Sequence, residues 1–201
     1  YEILIGLVGS EMCIRDRGLI MNVFYQTDRL ILNILQPSWA PTVLNFYKKN
    51  KDVLEPLEPA RSDRFYTESF QRANLSLEYN SFFKNNYMRY WMFDKKNPDF
   101  PIGTICFSNF LRGAFNSCMI GYKLDKDYTK KGYMTEALNF LLHEVCFDYP
   151  LHRIEAYVMP DNTSSIRLLN KLGFKQEGYL HEFAKINNSW EDHFLYTYFN
   201  G

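Results

Sequence analysis

Two adjacent lysines and a glycine, Lys130-Lys131-Gly132, lie where a strand-like segment runs into a strongly patterned helix. A helix N-terminus leaves its first backbone N–H groups without intrahelical acceptors and carries the positive end of the helix dipole. Glycine there lets a ligand approach the backbone closely, and two cations add charge. The group that suits such a stretch is a phosphate or pyrophosphate. A solvated charge run is the plainer alternative, but the strand-to-helix junction favours phosphate. Other reactive residue types do not gather. His143, His152 and His193 have no partners at metal-ligand spacing and read as structural or surface residues, so no metal is expected. Cys13, Cys106, Cys118 and Cys146 show neither metal-ligand spacing nor disulfide-framework density; they read as free thiols in a reducing compartment.

The elements that must position the phosphate-type stretch are legible on both sides of it. Ile120-Gly121-Tyr122-Lys123-Leu124 alternates like a strand. Met134, Ala137, Leu138, Leu141, Leu142 and Val145 then recur at helical spacing and form one apolar face. Thr135, Glu136, Asn139 and His143 fall towards the other side, with Glu136 a first-turn charge favoured by the dipole rather than a base. After Pro150 comes a strand, Arg153 to Val158, and then a short helix that Asp161 or Asn162 can cap. Ile166, Leu168, Leu169 and Leu172 supply its apolar side, and Gly173 ends it. Phe174 to Ile186, Asn187-Asn188 and Trp190 to Phe199 form a closing hairpin.

Upstream, Thr27 to Leu35 reads as a first strand. A helix opens between Pro37 and Pro41 with Ser38 as its N-cap, and Leu54 to Pro59 breaks it. Ser62-Asp63 starts a second helical stretch running to about Asn85. Tyr87 to Asp94 is a strand followed by a turn at Asn97-Pro98-Asp99. Ile102 to Phe110 and Asn116 to Leu124 are strands joined through Arg112-Gly113-Ala114. The order βααβββ-αβαββ gives an α/β (α+β) domain.

The 201 residues are 46% hydrophobic, enough for one domain with a substantial core. The 23 basic and 23 acidic residues balance, which argues against a general nucleic-acid binder. Tyr87, Tyr90, Trp91 and Phe93 accordingly read as sheet packing rather than base stacking. No apolar run is long enough to span a bilayer, and no membrane partner is expected. Leu7 to Arg17, LVGSEMCIRDR, resembles translated sequencing-adaptor text. Residues 1–20 are therefore expected to be non-native leader, with the domain at 21–201 and the native start at Met21.

Six segments in order resemble the GNAT acetyltransferase superfamily, and within it the ribosomal-protein-alanine N-acetyltransferases. They are TDRLIL (Thr27–Leu32), FSNFLRGAFNSCMIGY (Phe107–Tyr122), GYMTEAL (Gly132–Leu138), HRIEAYVMPDNTSS (His152–Ser165), LLNKLGFKQEGYL (Leu168–Leu180) and INNSWEDH (Ile186–His193). The resemblance implies a central mixed, mostly antiparallel sheet flanked by helices, with a splayed parallel strand pair holding acetyl-CoA. Backbone groups of Ile120, Tyr122 and Leu124 would hold the pantetheine arm, and Thr129, Lys130, Lys131, Gly132, Tyr133 and Met134 the pyrophosphate. The family's Gln/Arg-x-x-Gly-x-Gly/Ala loop keeps only Gly132 here; Lys130 stands where relatives often have glycine.

Asn162 resembles the residue that contacts the cofactor arm, and Ser165 the general acid. Glu182 lies where relatives carry a carboxylate that relays the amine's proton. For Ser165 the plain alternative is backbone bonding within a helix turn, and for Glu182 an exposed strand carboxylate. Asp192, otherwise a fold element, could orient an acceptor amine. Leu54–Arg61 and Phe110–Phe115 are expected to line the acceptor site. The implied activity is acetyl transfer in the cytoplasm to a protein N-terminal α-amine, alanine or serine of a ribosomal protein, by a monomer or a homodimer. Two alternatives stay open: a small amine acceptor (polyamine, aminoglycoside or amino acid), which an acidic cleft would favour, and an idle acetyl-CoA-binding module.

Overall fold

The computed structural model describes residues 22–200. The leader expected at residues 1–20, and Met21, lie outside the described residues. The chain begins with β1 (Phe24–Gln26) and β2 (Leu30–Ile34), followed by α1 (Ala40–Lys49), a short α2 (Lys51–Leu54) and α3 (Glu68–Phe83). Three strands follow, β3 (Met88–Asp94), β4 (Asn97–Leu111) and β5 (Ser117–Leu124). Next come α4 (Tyr133–Asp148), β6 (Arg153–Val158), α5 (Thr163–Lys171), β7 (Lys175–Ile186) and β8 (Ser189–Phe199). The strands form one sheet in the order β1-β2-β3-β4-β5-β6-β8-β7. Every neighbouring pair is antiparallel except β5–β6, which is parallel.

Helices cover both faces. The six apolar residues of α4 read from the sequence are all buried, against Leu30 and Leu32 of β2, Ile105 of β4, Ile120 of β5 and Ile154 of β6. On the opposite face Val43, Phe46 and Tyr47 of α1 pack with Leu75 of α3 and with Trp91 and Phe93 of β3. Strands covered on both sides bury both alternating sets of side chains, which is why β3 is buried at six of its seven positions.

Four local expectations are corrected. Ser38 caps nothing: Pro37–Trp39 is a 3-10 turn, and α1 starts after Trp39 without a side-chain cap. The stretch from Ser62 is two pieces, because Thr67 is extended (φ −113°, ψ 148°) and its Oγ1 accepts from Phe70 N at 3.3 Å to start α3. The β3–β4 turn is Lys95-Lys96 rather than Asn97-Pro98-Asp99. Asp94 fixes it by accepting from Lys96 N at 3.0 Å, and Arg29 O accepts from Lys95 N at 2.9 Å. β1, absent from the sequence reading, pairs with β2 over three residues.

Candidate active site

The parallel pair is short. Ser117–Met119 of β5 pairs with Arg153–Glu155 of β6. Beyond that, β6 continues along β8 from Ala156 to Val158, while β5 continues along β4 to Leu124. The two strands splay, and Ile120–Leu124 has no strand partner on its β6 side among the described residues. A free strand edge of unpaired N–H and C=O groups receives an extended chain by adding it as a strand.

The loop leaving β5 is anchored at its base. Asp125 is buried; it accepts from Asn50 Nδ2 at 3.2 Å and pairs with Lys49 at 2.8 Å. Asn50 Oδ1 in turn accepts from Lys126 N at 3.0 Å. Past this anchor, Lys130 (φ 59°) and Gly132 (φ 81°) are both left-handed, and Gly132 is the N-cap of α4. No side chain caps that end, so the first-turn N–H groups of Tyr133, Met134 and Thr135 have no such acceptor. A Cβ on Gly132 would sit 3.4 Å from Arg29 Nη2. Thr129 Oγ1 donates to Lys126 O at 3.0 Å and Lys131 Nζ to Asp127 O at 2.6 Å, which shapes the turn. Exposed cations beside uncapped N–H groups make a fitting cradle for a pyrophosphate.

Sequence reasoning missed what holds this cradle. Arg29 donates from Nη1 to Lys131 O at 3.0 Å and from Nε to Glu136 Oε2 at 2.6 Å, with its guanidinium 4.4 Å from the Tyr133 ring centroid. Glu136 Oε1 also accepts from Thr27 Oγ1 at 2.5 Å and Arg29 N at 2.9 Å. Partial burial pushes the Glu136 carboxyl up, but the hydrogen bonds from Thr27 and Arg29 outweigh it and hold it below its ordinary value. Glu136 is thus a clamp between the β1–β2 turn and α4. Nothing in the local spacing of Thr27 and Arg29 signals a partner more than a hundred residues away.

Two candidates come together at the gap. Tyr122 Oη and Ser165 Oγ are 2.7 Å apart. Ser165 is in the first turn of α5, and its N–H donates to the capping Asn162 Oδ1 at 3.2 Å. Burial pushes the Tyr122 phenol up to about 12, with the Ser165 hydrogen bond pulling slightly the other way. Glu182 sits elsewhere, exposed in a bulge of β7 at φ 46°, its N–H donating to Asp192 Oδ1 at 2.8 Å. Its neighbour Phe183 stacks on Tyr157 of β6 at 4.5 Å, which lays the bulge against the β6 side of the gap. Asp192 is held by Tyr179 Oη at 2.5 Å.

The other face of β5 carries a set that sequence reasoning did not assemble. Lys123 Nζ lies 2.6 Å from Glu58 Oε1, and Glu58 also pairs with Arg61. The Arg61 guanidinium lies 4.1 Å from the Phe65 ring centroid and 4.8 Å from that of Tyr47. Glu58 O accepts from Asn187 N at 3.2 Å, so the β7–β8 turn reaches across the open end of the gap. Burial, aided by the guanidiniums of Arg89 and Arg61, pulls the Lys123 ammonium down from its ordinary pKa. In the sequence Lys123 alternates with Ile120, Tyr122 and Leu124 and looks like an ordinary charge on the outward side of a strand.

Residues 29–175 match the acetyltransferase (GNAT) domain family. The chain is 34% identical over 180 residues to the ribosomal protein uS5-alanine N-acetyltransferase of Escherichia coli strain K12, covering 89% of this chain and 92% of that one. Its structure is similar to that of the ribosomal-protein-S5-alanine acetyltransferase from Vibrio fischeri (TM-score 0.84, 32% identity, 89% of this chain and 97% of that one). It is also similar to Mycobacterium smegmatis RimJ in complex with a coenzyme A disulfide (TM-score 0.78, 25% identity, 85% and 81%).

Proposed function

Because the chain belongs to the GNAT acetyltransferase family, we propose that it acetylates the α-amine at a polypeptide N-terminus, alanine or serine of a ribosomal protein, in the cytoplasm. The observation that carries the mechanism is the β5–β6 gap, flanked by an uncapped, glycine-headed helix and by the Tyr122–Ser165 pair. Near-full-length similarity to a uS5-alanine N-acetyltransferase supports the acceptor. Among the described residues no helix is long and apolar enough to cross a membrane.

Acetyl-CoA, when bound, supplies an activated acetyl thioester. The N–H groups of Tyr133, Met134 and Thr135, with Lys130 and Lys131, hold the pyrophosphate, and Gly132 admits it without a Cβ in the way. Thr129 shapes the turn, and the free edge of Ile120, Tyr122 and Leu124 aligns the pantetheine arm. Asn162 fixes the backbone of Ser165, and Tyr122, protonated at any working pH, has an O–H to donate to Ser165 Oγ, although either hydroxyl can be the donor of that bond. With Tyr122 as the donor, the Ser165 O–H is free to protonate the departing thiolate. An amine attacks only after losing its proton, and Glu182 is the carboxylate proposed to relay it. Bulges beside active sites re-aim side chains in this way.

The test is residues 21–201 with acetyl-CoA and a panel of Ala- and Ser-starting peptides, polyamines and aminoglycosides, with thiol release followed. Turnover of peptides alone is expected. Turnover of small amines alone would replace the acceptor, and binding of acetyl-CoA without turnover would make the chain an idle module.

A further inference from the structure

The backbone changes course where β5 ends, and one side chain from a distant helix completes the hydrogen bonding there. Asp125 N still donates to Ile102 O at 2.8 Å, as a strand residue would. The next residues form a short 3-10 turn, Lys126–Tyr128, in which Asp125 Oδ1 accepts from Asp127 N at 2.9 Å. Lys126 N finds its acceptor in Asn50 Oδ1 at 3.0 Å. The same amide donates from Nδ2 to Asp125 Oδ2 at 3.2 Å and to Phe46 O at 3.0 Å. Asn50 is the C-cap residue of α1 and is 0% exposed; Asp125 is 3% exposed. At that depth a polar group left without its partner is costly. An amide of this length supplies an acceptor and two donors at once, whereas aspartate lacks the donors and leucine lacks both.

The ion pairs around this anchor do not replace it. Lys49 reaches Asp125 at 2.8 Å and Asp127 at 2.7 Å, and Lys126 reaches Asp52 at 3.0 Å. Lys49, Asp52, Lys126 and Asp127 are all exposed, and exposed pairs contribute little and are screened by salt. What the anchored turn carries is the pyrophosphate cradle. The Tyr128 ring packs edge-on against that of Tyr133, the first residue of α4, with centroids 5.7 Å apart. Lys130 and Gly132 follow in left-handed conformation, and at the rim Lys131 O accepts from Arg29 Nη1 at 3.0 Å. The loop is thus pinned at its rim by the β1–β2 turn and at its base by α1. Among the described residues no side-chain hydrogen bond or ion pair joins that base to Tyr122 or Ser165.

We propose that Asn50 is a positioning residue for acetyl-CoA, holding the cradle loop in its binding conformation through Asp125 and Lys126. The inference rests on the acetyltransferase reading. It adds to that reading a residue of α1, far in sequence from both the loop and the α5 motif. A loop that keeps its binding conformation in only about a tenth of the molecules binds its ligand about tenfold more weakly. Once the cofactor is bound, the groups at Tyr122 and Ser165 act as before.

The experiment measures the acetyl-CoA Kd by calorimetry, with KM and kcat on an Ala-starting peptide, for the parent and three variants. Asn50→Asp sets two carboxylates against each other, and Asp125→Asn loses one bond whichever way its amide turns. Each should raise Kd and KM for acetyl-CoA by about tenfold or more, with kcat at saturation within about twofold of the parent. The double variant, Asn50→Asp with Asp125→Asn, moves the carboxylate across the pair and restores every bond between them, losing only the one to Phe46. It should recover most of the lost affinity. Calorimetry reports the active fraction separately from the affinity, so a variant that folds only in part still reports. Parent-like Kd in both single variants would overturn the proposal, as would a fall in kcat with acetyl-CoA KM unchanged. So would a double variant that binds no better than either single one. Each of these outcomes leaves acetyl transfer by the parent standing. A parent that binds no acetyl-CoA would overturn the acetyltransferase reading and the proposal together.

Discussion

The two sides of the β5–β6 gap are built in different ways. On the α4 side the working groups are consecutive, from Thr129 to Glu136, largely solvent-facing, and act mainly through backbone N–H groups at a helix end. On the α1–α3 side Glu58, Arg61, Glu78, Arg89 and Lys123 come from four separate stretches of chain and act through buried side chains. A backbone site tolerates side-chain change as long as the loop keeps its conformation. Thr129 and Lys130 can therefore depart from the family's loop pattern while Gly132 stays. A network of buried charges has no such slack, since each member leaves another unpaired when removed.

The harshest test of this contrast is Gly132→Asp. Aspartate must adopt φ 81°, its Cβ meets Arg29, and its carboxylate faces the bound pyrophosphate. Acetyl-CoA affinity measured by calorimetry should fall by about a hundredfold or more, a loss of about 3 kcal/mol. Unchanged affinity would mean that the cradle lies elsewhere.

Next in size is Ser165→Ala, which should lower kcat by about 10- to 100-fold while acetyl-CoA affinity holds. A parent-like turnover would reduce Ser165 to a helix-turn residue. The same pair predicts a pH response. Tyr122 keeps its proton up to about 12 when folded, above the ordinary phenol value of about 10. Its contribution to stability is therefore complete below about pH 10 and is lost as pH rises towards the folded value. Across the working range kcat/KM should rise as the acceptor amine deprotonates and then stay level. A fall below about pH 9 would show that another group holds the departing proton.

Glu136→Gln probes the clamp rather than the cradle. It keeps the shape but loses the charge-assisted bonds to Arg29, and about 1–2 kcal/mol of stability by denaturant titration is expected. The Glu136 carboxyl is held below its ordinary value, so its stabilisation is present above a pH of about 4.3 and is lost on acidification through the folded pKa. Parent and variant should converge in acid; a constant gap would assign the loss to packing.

How much was legible follows the same division. The α4 face, β6 from Arg153 to Val158, the Asn162 cap and the left-handed Gly173 could all be read because each is decided by residues within one or two turns. Glu182 was picked out only by likeness to relatives, and nothing in its neighbours announced a left-handed bulge. β1 is too short to show a period, and Thr67 breaks a helical pattern through one extended residue. Arg29 and Lys123 looked like ordinary strand charges. Their partners, Glu136 and Glu58, are 107 and 65 positions away, and only the folded sheet brings them together.

The smallest effect discriminates most finely between the two sides. Lys130 occupies φ 59°, a region that costs an L-residue about 1 kcal/mol. Lys130→Gly should relieve that strain and, after the added freedom of the unfolded chain, raise stability by about 0.5 kcal/mol. It also removes an exposed cation beside the pyrophosphate cradle, so acetyl-CoA affinity should drop a few-fold in low salt. That loss should fade at high ionic strength, where exposed charges are screened. The stability lost on Lys123→Gln, which breaks the buried Lys123–Glu58–Arg61 network, should persist under the same salt because screening scarcely reaches buried pairs. If salt erases both effects equally, the network is open to solvent, and the contrast between a backbone cradle and a buried-charge network fails.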